Sequence, residues 1–214
     1  MLLIGMFDSP YVRRVAVSMR LLGMAFEHAD WSVGRDFDRI RAYNPLGRVP
    51  TLVLDDGEAL IESGAILDFL DETVGPMRAL LPPSGRARRA ALRLMALATG
   101  AADKAAIQVY EVVFRPEDKR HAPWVARCRS QVEAALAELE RLCRTRADQA
   151  WLVGDRLSQA DVTVTCAFTF LMAALDGVLE RSAYPALLAA CERCEALPEF
   201  QAIRAAWSPP SVAA

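Results

Sequence analysis

Near residue 76 the chain changes its hydrophobic period, and few folds accommodate such a change. Before that point short apolar runs alternate with helical patterns; beyond it strand signals stop and alanine-rich helical periodicity takes over. The first part reads as LLIGMF (2–7), a helix from about Pro10 to Leu22, FEHADW (26–31), a short helix near 36–43, TLVLDDGEALI (51–61) and a helix from Ser63 to Thr73. Asp55, Asp56 and Gly57 supply turn residues between two strand-like runs, which is a hairpin signal. The resulting β-α-β, α, β-β-α order predicts a small α/β domain with a mixed sheet. GPMRALLPPSGR (75–86) then reads as a linker, with three prolines and two glycines. In the second part Leu92, Met95, Ala96, Ala102, Ala106, Val109, Tyr110 and Val113 fall near one helical face, and Val132, Leu136, Leu139 and Leu142 continue the pattern. The expected division is therefore a first domain at 1–76, a linker at 77–86 and an all-α domain at 87–214.

Composition narrows the function classes. The 214 residues are 53% hydrophobic and 24% charged, as in an ordinary globular protein that buries a substantial core. A net charge of −2 provides no basic field for nucleic acid, and the four arginines between Arg86 and Arg93 alternate with alanine and leucine as a solvated helix face does. The longest low-charge stretch, Val162 to Leu175, is too short to cross a bilayer, and the first residues do not read as a signal peptide. A cytoplasmic location with small-molecule or protein partners is the expectation, and neither nucleic acid nor membrane is expected as a partner. Five cysteines, an odd number confined to the second half, suit reduced thiols. Cys191 and Cys194 have C-x-x-C spacing but lie inside a helical pattern without a second ligand pair, so they read as inert helix-face thiols. His28 and His121 have no ligand cluster near them in sequence; no metal is expected.

Ser9 directly before Pro10 is a helix-start signal, because a serine side chain accepts from an early backbone N–H and proline suits the first helical position. The same helix end, with its unpaired N–H groups and partial positive charge, also favours a bound anion. Ser158 and Asp161 form S-x-x-D before an apolar run, the pattern of a capping box. Asp103 interrupts an otherwise apolar helix, and a domain cleft, a subunit interface or water could each face it.

Four separated stretches, SPYVRRV (9–15), NPLGRVPTL (44–52), ALIESGAILDFLDE (59–72) and LVGDRLSQADV (152–162), resemble in order and spacing the signatures of cytosolic glutathione S-transferases, of a bacterial type with Ser-Pro at the first helix. The resemblance implies a thioredoxin-like N-terminal domain that binds glutathione and an all-α C-terminal domain that completes the pocket for an electrophile. It implies that Ser9 donates a hydrogen bond to the glutathione thiolate, with Tyr11 as a backup donor, and that the C-x-x-C of related redox proteins is replaced by Ser9-Pro10-Tyr11-Val12. It implies a cis Val49-Pro50 bond with Val49 as a backbone ligand, Arg48 toward the glycyl carboxylate, and Glu62 and Ser63 at the γ-glutamyl end. Asp161 is expected to serve folding, and Tyr11, Tyr110, Phe114 and Trp207 are candidate pocket walls. A homodimer that transfers glutathione to a small electrophile is the implied protein. A glutathione-dependent ligand carrier, a protein-interaction module and a glutathione-dependent peroxidase or isomerase are the alternatives. Zeta-like isomerases carry S-S-C where this chain has Asp8-Ser9-Pro10.

Overall fold

A computed structural model of the chain describes residues 1–211; the last three residues of the expected second domain, 212–214, lie outside the described residues. Four short strands, β1 (Leu2–Ile4), β2 (Glu27–Ala29), β3 (Thr51–Val53) and β4 (Ala59–Ile61), form one sheet in the order β2-β1-β3-β4. β1 runs parallel to β2, with Leu3 opposite His28, and antiparallel to β3, with Leu3 opposite Leu52. β3 and β4 form the expected hairpin. The parallel pair needs a crossover, which α1 (Pro10–Leu21) supplies. α2 (Phe37–Arg41) leads into β3, and α3 (Ser63–Val74) follows β4.

Beyond the sheet the helices are α4 (Gly85–Val113), α5 (Ala122–Arg144), α6 (Gln159–Ala174), α7 (Pro185–Glu195) and α8 (Pro198–Gln201). The low-charge stretch of the sequence is α6, buried nearly all round from Gln159 to Met172. A helix without a polar face belongs in the centre of a bundle, and α6 packs on α4 through Val164, Phe168 and Leu171. Its other side contributes Val162 and Cys166 to the core that Leu3, Val15, Met19, Leu52 and Ile66 form under the sheet. The two halves therefore share apolar interior along α1 and α6. No helix among the described residues is long and apolar enough to cross a membrane.

One expectation needs correction. The buried face of α4 is Ala91, Leu94, Ala98, Ala101, Ala102, Ala105, Gln108 and Val109, whereas Leu92, Ala96 and Tyr110 are exposed. Close packing against α5 and α6 selects a row of alanines, because small side chains let helices approach; the bulkier apolar residues fall on the neighbouring face. The segment between α3 and α4 is fastened along its length. Asp71 accepts from the Leu80 and Leu81 N–H groups at 2.7 and 3.0 Å, Arg156 donates to the Met77 and Ala79 carbonyls, and the Gln159 N–H donates to the Leu80 carbonyl. Ala79 and Leu81 are buried.

A second fastening lies in the first turn of α1. Arg13, 4% exposed, forms two parallel hydrogen bonds to the Glu195 carboxylate at 2.6 and 2.8 Å and donates to the Ile203 and Phe200 carbonyls. Thr169 donates to the same carboxylate at 2.7 Å. Burial raises the Glu195 carboxyl, but the Arg13 hydrogen bonds outweigh it and hold the group below its ordinary value.

Candidate functional site

The loop after β1 enters α1 in a way that leaves a polar helix end open. Gly5 has φ +128°, and a Cβ there would meet Val12 Cγ2 at 2.6 Å and Val49 Cβ at 2.8 Å, so glycine lets β1 run close under both the first turn of α1 and the turn before β3. Ser9 is the N-cap of α1, with Pro10 at the first helical position. Its hydroxyl accepts from the Val12 N–H at 3.5 Å, a long and weak bond, and the side chain is half-buried.

Ser9 lies on the wall of a cavity of about 830 Å³ between the two halves of the molecule, a size suited to a small-molecule ligand. Tyr11, Arg48 and Val49 share that wall. The Val49-Pro50 bond is cis, and among the described residues the Val49 N–H and C=O have no backbone partner. Pro50 is buried behind Val49 and does not line the cavity. From the helical half, α4 presents Asp103, Ala106, Ile107, Val109 and Tyr110, and Phe114 at its C-cap continues that face. Tyr110 and Phe114 meet edge to face at 5.2 Å, and so do Phe170 of α6 and Trp207 of the C-terminal segment. The four aromatic residues expected as walls, Tyr11, Tyr110, Phe114 and Trp207, all line this one cavity.

Glu62 and Ser63 sit apart from it. Glu62, rather than Ser63, caps α3: its carboxylate accepts from the Gly64 N–H at 2.9 Å, and its backbone takes φ 72°, an uncommon conformation for a residue with a side chain. Ser63 occupies the first helical position and is fully buried. Its hydroxyl accepts from Arg14 Nη2 at 2.7 Å and donates to Glu62 Oε1 at 3.2 Å, so that hydroxyl is engaged within the protein. Neither residue lines the 830 Å³ cavity. Arg14, on α1 beside the Ser9 end, is 5% exposed, and its Nε has no hydrogen-bond partner among the described residues. Burial lowers the Arg14 guanidinium from its ordinary value, opposed by the negative charges of Glu62 and Asp103. A cation buried beside Glu62 and Ser63 is a feature that helical periodicity hides, because Arg13 and Arg14 read as one exposed basic pair.

Tyr11 and Asp103 meet in the cleft. The Tyr11 hydroxyl donates across the cleft to Asp103 Oδ1, with the Thr99 carbonyl 3.4 Å away as a second acceptor. Burial and then this bond raise the phenol far above its ordinary value. Asp103 therefore faces the cleft. The Tyr11 hydroxyl proton points to that carboxylate, and the residue lines the cavity wall. At the cavity rim Asp8 accepts from the Ser208 N–H at 3.1 Å; burial nonetheless raises its carboxyl.

Models of the glutathione S-transferase N-terminal and C-terminal domains match residues 3–78 and 122–193. The chain belongs to the glutathione S-transferase family. Among curated proteins, the maleylacetoacetate isomerase of Pseudomonas aeruginosa is 33% identical over 158 residues, covering 70% of this chain and 71% of that one. A glutathione S-transferase of Methylobacterium radiotolerans, solved in complex with glutathione sulfonate, superposes with a TM-score of 0.86 at 31% identity, covering 100% of this chain and 95% of that one. A glutathione transferase family member of Pseudomonas fluorescens Pf-5, solved with bound glutathione, gives 0.82 at 32% identity over 95% and 98%. Within the glutathione S-transferase fold the sheet, α1 and α3 form the thioredoxin-like half and α4 to α8 the helical half.

The five cysteines lie away from the cavity. All are free and buried; burial pushes the Cys143 and Cys166 thiols up to about 12 and Cys194 up to about 11, with Cys191 raised as well. Thiols that stay protonated are poor nucleophiles.

Proposed function

We propose that Ser9 donates a hydrogen bond to the sulfur of glutathione and holds it as a thiolate for attack on an electrophile in the cavity. The chain is a glutathione transferase, with glutathione as co-substrate. The observation that carries the assignment of Ser9 is the open α1 N-terminus: a hydroxyl held by one 3.5 Å bond, on the wall of a cavity shared with Val49 and Arg48. A free thiol has a pKa of about 8.5, and lowering it by about two units takes about 2.7 kcal/mol of differential stabilisation. One hydroxyl donor and a helix N-terminus supply that order of magnitude. The thiol proton leaves to solvent, the sulfur lone pair forms the bond to carbon, and the displaced group departs with its electron pair.

The rest of glutathione extends from that sulfur. The Val49 N–H and C=O pair with its cysteinyl unit in strand fashion beside Pro50, and Arg48 meets the glycyl carboxylate. The γ-glutamyl end reaches Glu62 and Ser63, where Arg14 adds a buried positive charge behind the serine. Relatives of the same fold solved with glutathione sulfonate or glutathione bound support glutathione as the ligand. Residues 1–76 bind glutathione and 87–214 supply the electrophile wall, with 77–86 joining them. The enzyme works in the cytoplasm as a homodimer. The Asp8-Ser9-Pro10 sequence weighs against the isomerase alternative.

Retention on immobilised glutathione, with conjugation rates for Ser9→Ala beside wild type, tests the reading. Retention of both proteins with the rate lost only in the variant supports it; no retention of wild type refutes it.

A further inference from the structure

Asp103 is the carboxylate on the α4 stripe that otherwise offers Ala106, Ile107, Tyr110 and Phe114 to the cavity. One of its oxygens accepts from Tyr11, and a carboxylate has about four acceptor positions, so most of its capacity stays available on an exposed, cavity-lining group. The neighbouring charges do not cancel it. Arg14 lies behind it, buried, and shares its field with Ser63 and Glu62. Lys104, the next residue, turns its ammonium onto the Trp124 ring at 5.7 Å. Arg48 stands on the opposite, sheet-side wall, where glutathione supplies its own carboxylate, and Asp8 is bound to the Ser208 N–H. An unsatisfied carboxylate among aromatic walls attracts cations and N–H donors and repels anions, and the aromatic faces add to the attraction for a cation.

We propose that Asp103 is a specificity-determining residue that selects aromatic electrophiles bearing a protonated amine. The proposal rests on the transferase reading above for the position of the sulfur. The aromatic body packs among Tyr110, Phe114, Phe170 and Trp207, and the ammonium group donates to the Asp103 oxygen that Tyr11 leaves free. Asparagine at the same position keeps an oxygen for the Tyr11 hydroxyl while removing the charge.

The test uses ortho-nitro chlorobenzenes that differ only para to chlorine: aminomethyl, carboxamide or carboxylate. Glutathione sulfur replaces chlorine in each, and chloride leaves with the bonding pair. Intrinsic reactivities cancel when kcat/KM of a variant is divided by that of wild type. In Asp103→Asn the ratio of aminomethyl to carboxylate substrate falls by about tenfold. Tyr11→Phe, which keeps the carboxylate, preserves the preference, and Ser9→Ala slows all three substrates without reordering them. Equal effects of Asp103→Asn on all three substrates overturn the proposal. Binding of the three purified glutathione conjugates, measured by calorimetry, gives a second reading that needs no turnover. If wild type converts none of the substrates, the transferase reading fails. The proposal then stands if wild type binds the aminomethyl conjugate more tightly than the carboxylate one and Asp103→Asn abolishes that difference, and it falls if wild type shows no such difference.

Discussion

Ser9 and Ser158 each stand at the N-cap of a helix, and the same residue type in the same position does opposite things. Ser158, at the start of α6, is 3% exposed; its N–H and hydroxyl both donate to Asp161 Oδ2, at 2.9 and 2.7 Å, closing a capping box. Asp161 Oδ1 takes a third donor, the Leu152 N–H, at 2.8 Å. The hydroxyl of Ser9, at the start of α1, has one bond of 3.5 Å and opens on a cavity. The bonds around Ser158 are made and hidden, so that end serves the fold. The valences around Ser9 are largely unspent, so that end is available to a ligand. A helix N-terminus becomes a site only where its own chain declines to satisfy it.

The contrast breaks if the two ends respond alike to mutation. Asp161→Ala leaves three buried donors without an acceptor and costs about 3 kcal/mol of stability by urea unfolding, while the folded fraction keeps its kcat. Ser9→Ala behaves inversely: stability changes by about 0.5 kcal/mol or less, and conjugation slows by about 30-fold or more, equivalent to about 2 kcal/mol of transition-state stabilisation. If Asp161→Ala were silent in unfolding, or Ser9→Ala lowered stability more than rate, the division of labour would be wrong.

The Arg13–Glu195 pair extends the comparison to the side of α1 facing away from the cavity. The Glu195 carboxyl is depressed below its ordinary 4.5, so its stabilisation is present above that pH and is lost as pH falls through the lower folded value. Melting temperatures of wild type and Glu195→Gln measured from about pH 6 to about pH 3 therefore converge toward acid. A gap that widened toward acid would contradict the ion pair. The smallest effect is at Tyr11. With its proton held by Asp103, Tyr11→Phe changes the conjugation rate of a neutral electrophile by about threefold or less. A loss rivalling that of Ser9→Ala would make Tyr11 the sulfur donor.

Much of this was legible in the sequence because it rests on local periodicity and turn chemistry. The strand–helix order, the Asp55-Asp56-Gly57 hairpin, the S-x-x-D box and the change to helix near residue 76 are short-range signals, and all recur in the structure. The motif at 44–52 carried the cis Val49-Pro50 bond by resemblance. What escaped depends on contacts between distant segments. Asp103 finds Tyr11 92 residues away, Arg13 finds Glu195 at a separation of 182, and Arg14 finds Ser63 at 49. Nothing in the spacing of two adjacent arginines says that both are buried. The face of α4 was misjudged because large apolar residues weigh most in a pattern, whereas its tight packing uses alanines. Glu62 caps α3 with its backbone at φ 72°, a conformation that its residue type does not signal.

The central claim concerns one proton. Thiolate absorbance of glutathione bound to the enzyme, followed against pH for wild type and Ser9→Ala, reads it without an electrophile. The account predicts a bound thiol titrating about two units below its free value of about 8.5 in wild type, returning most of the way in the variant. A bound thiol that titrates at its free value in wild type, or that stays depressed in Ser9→Ala, would contradict it.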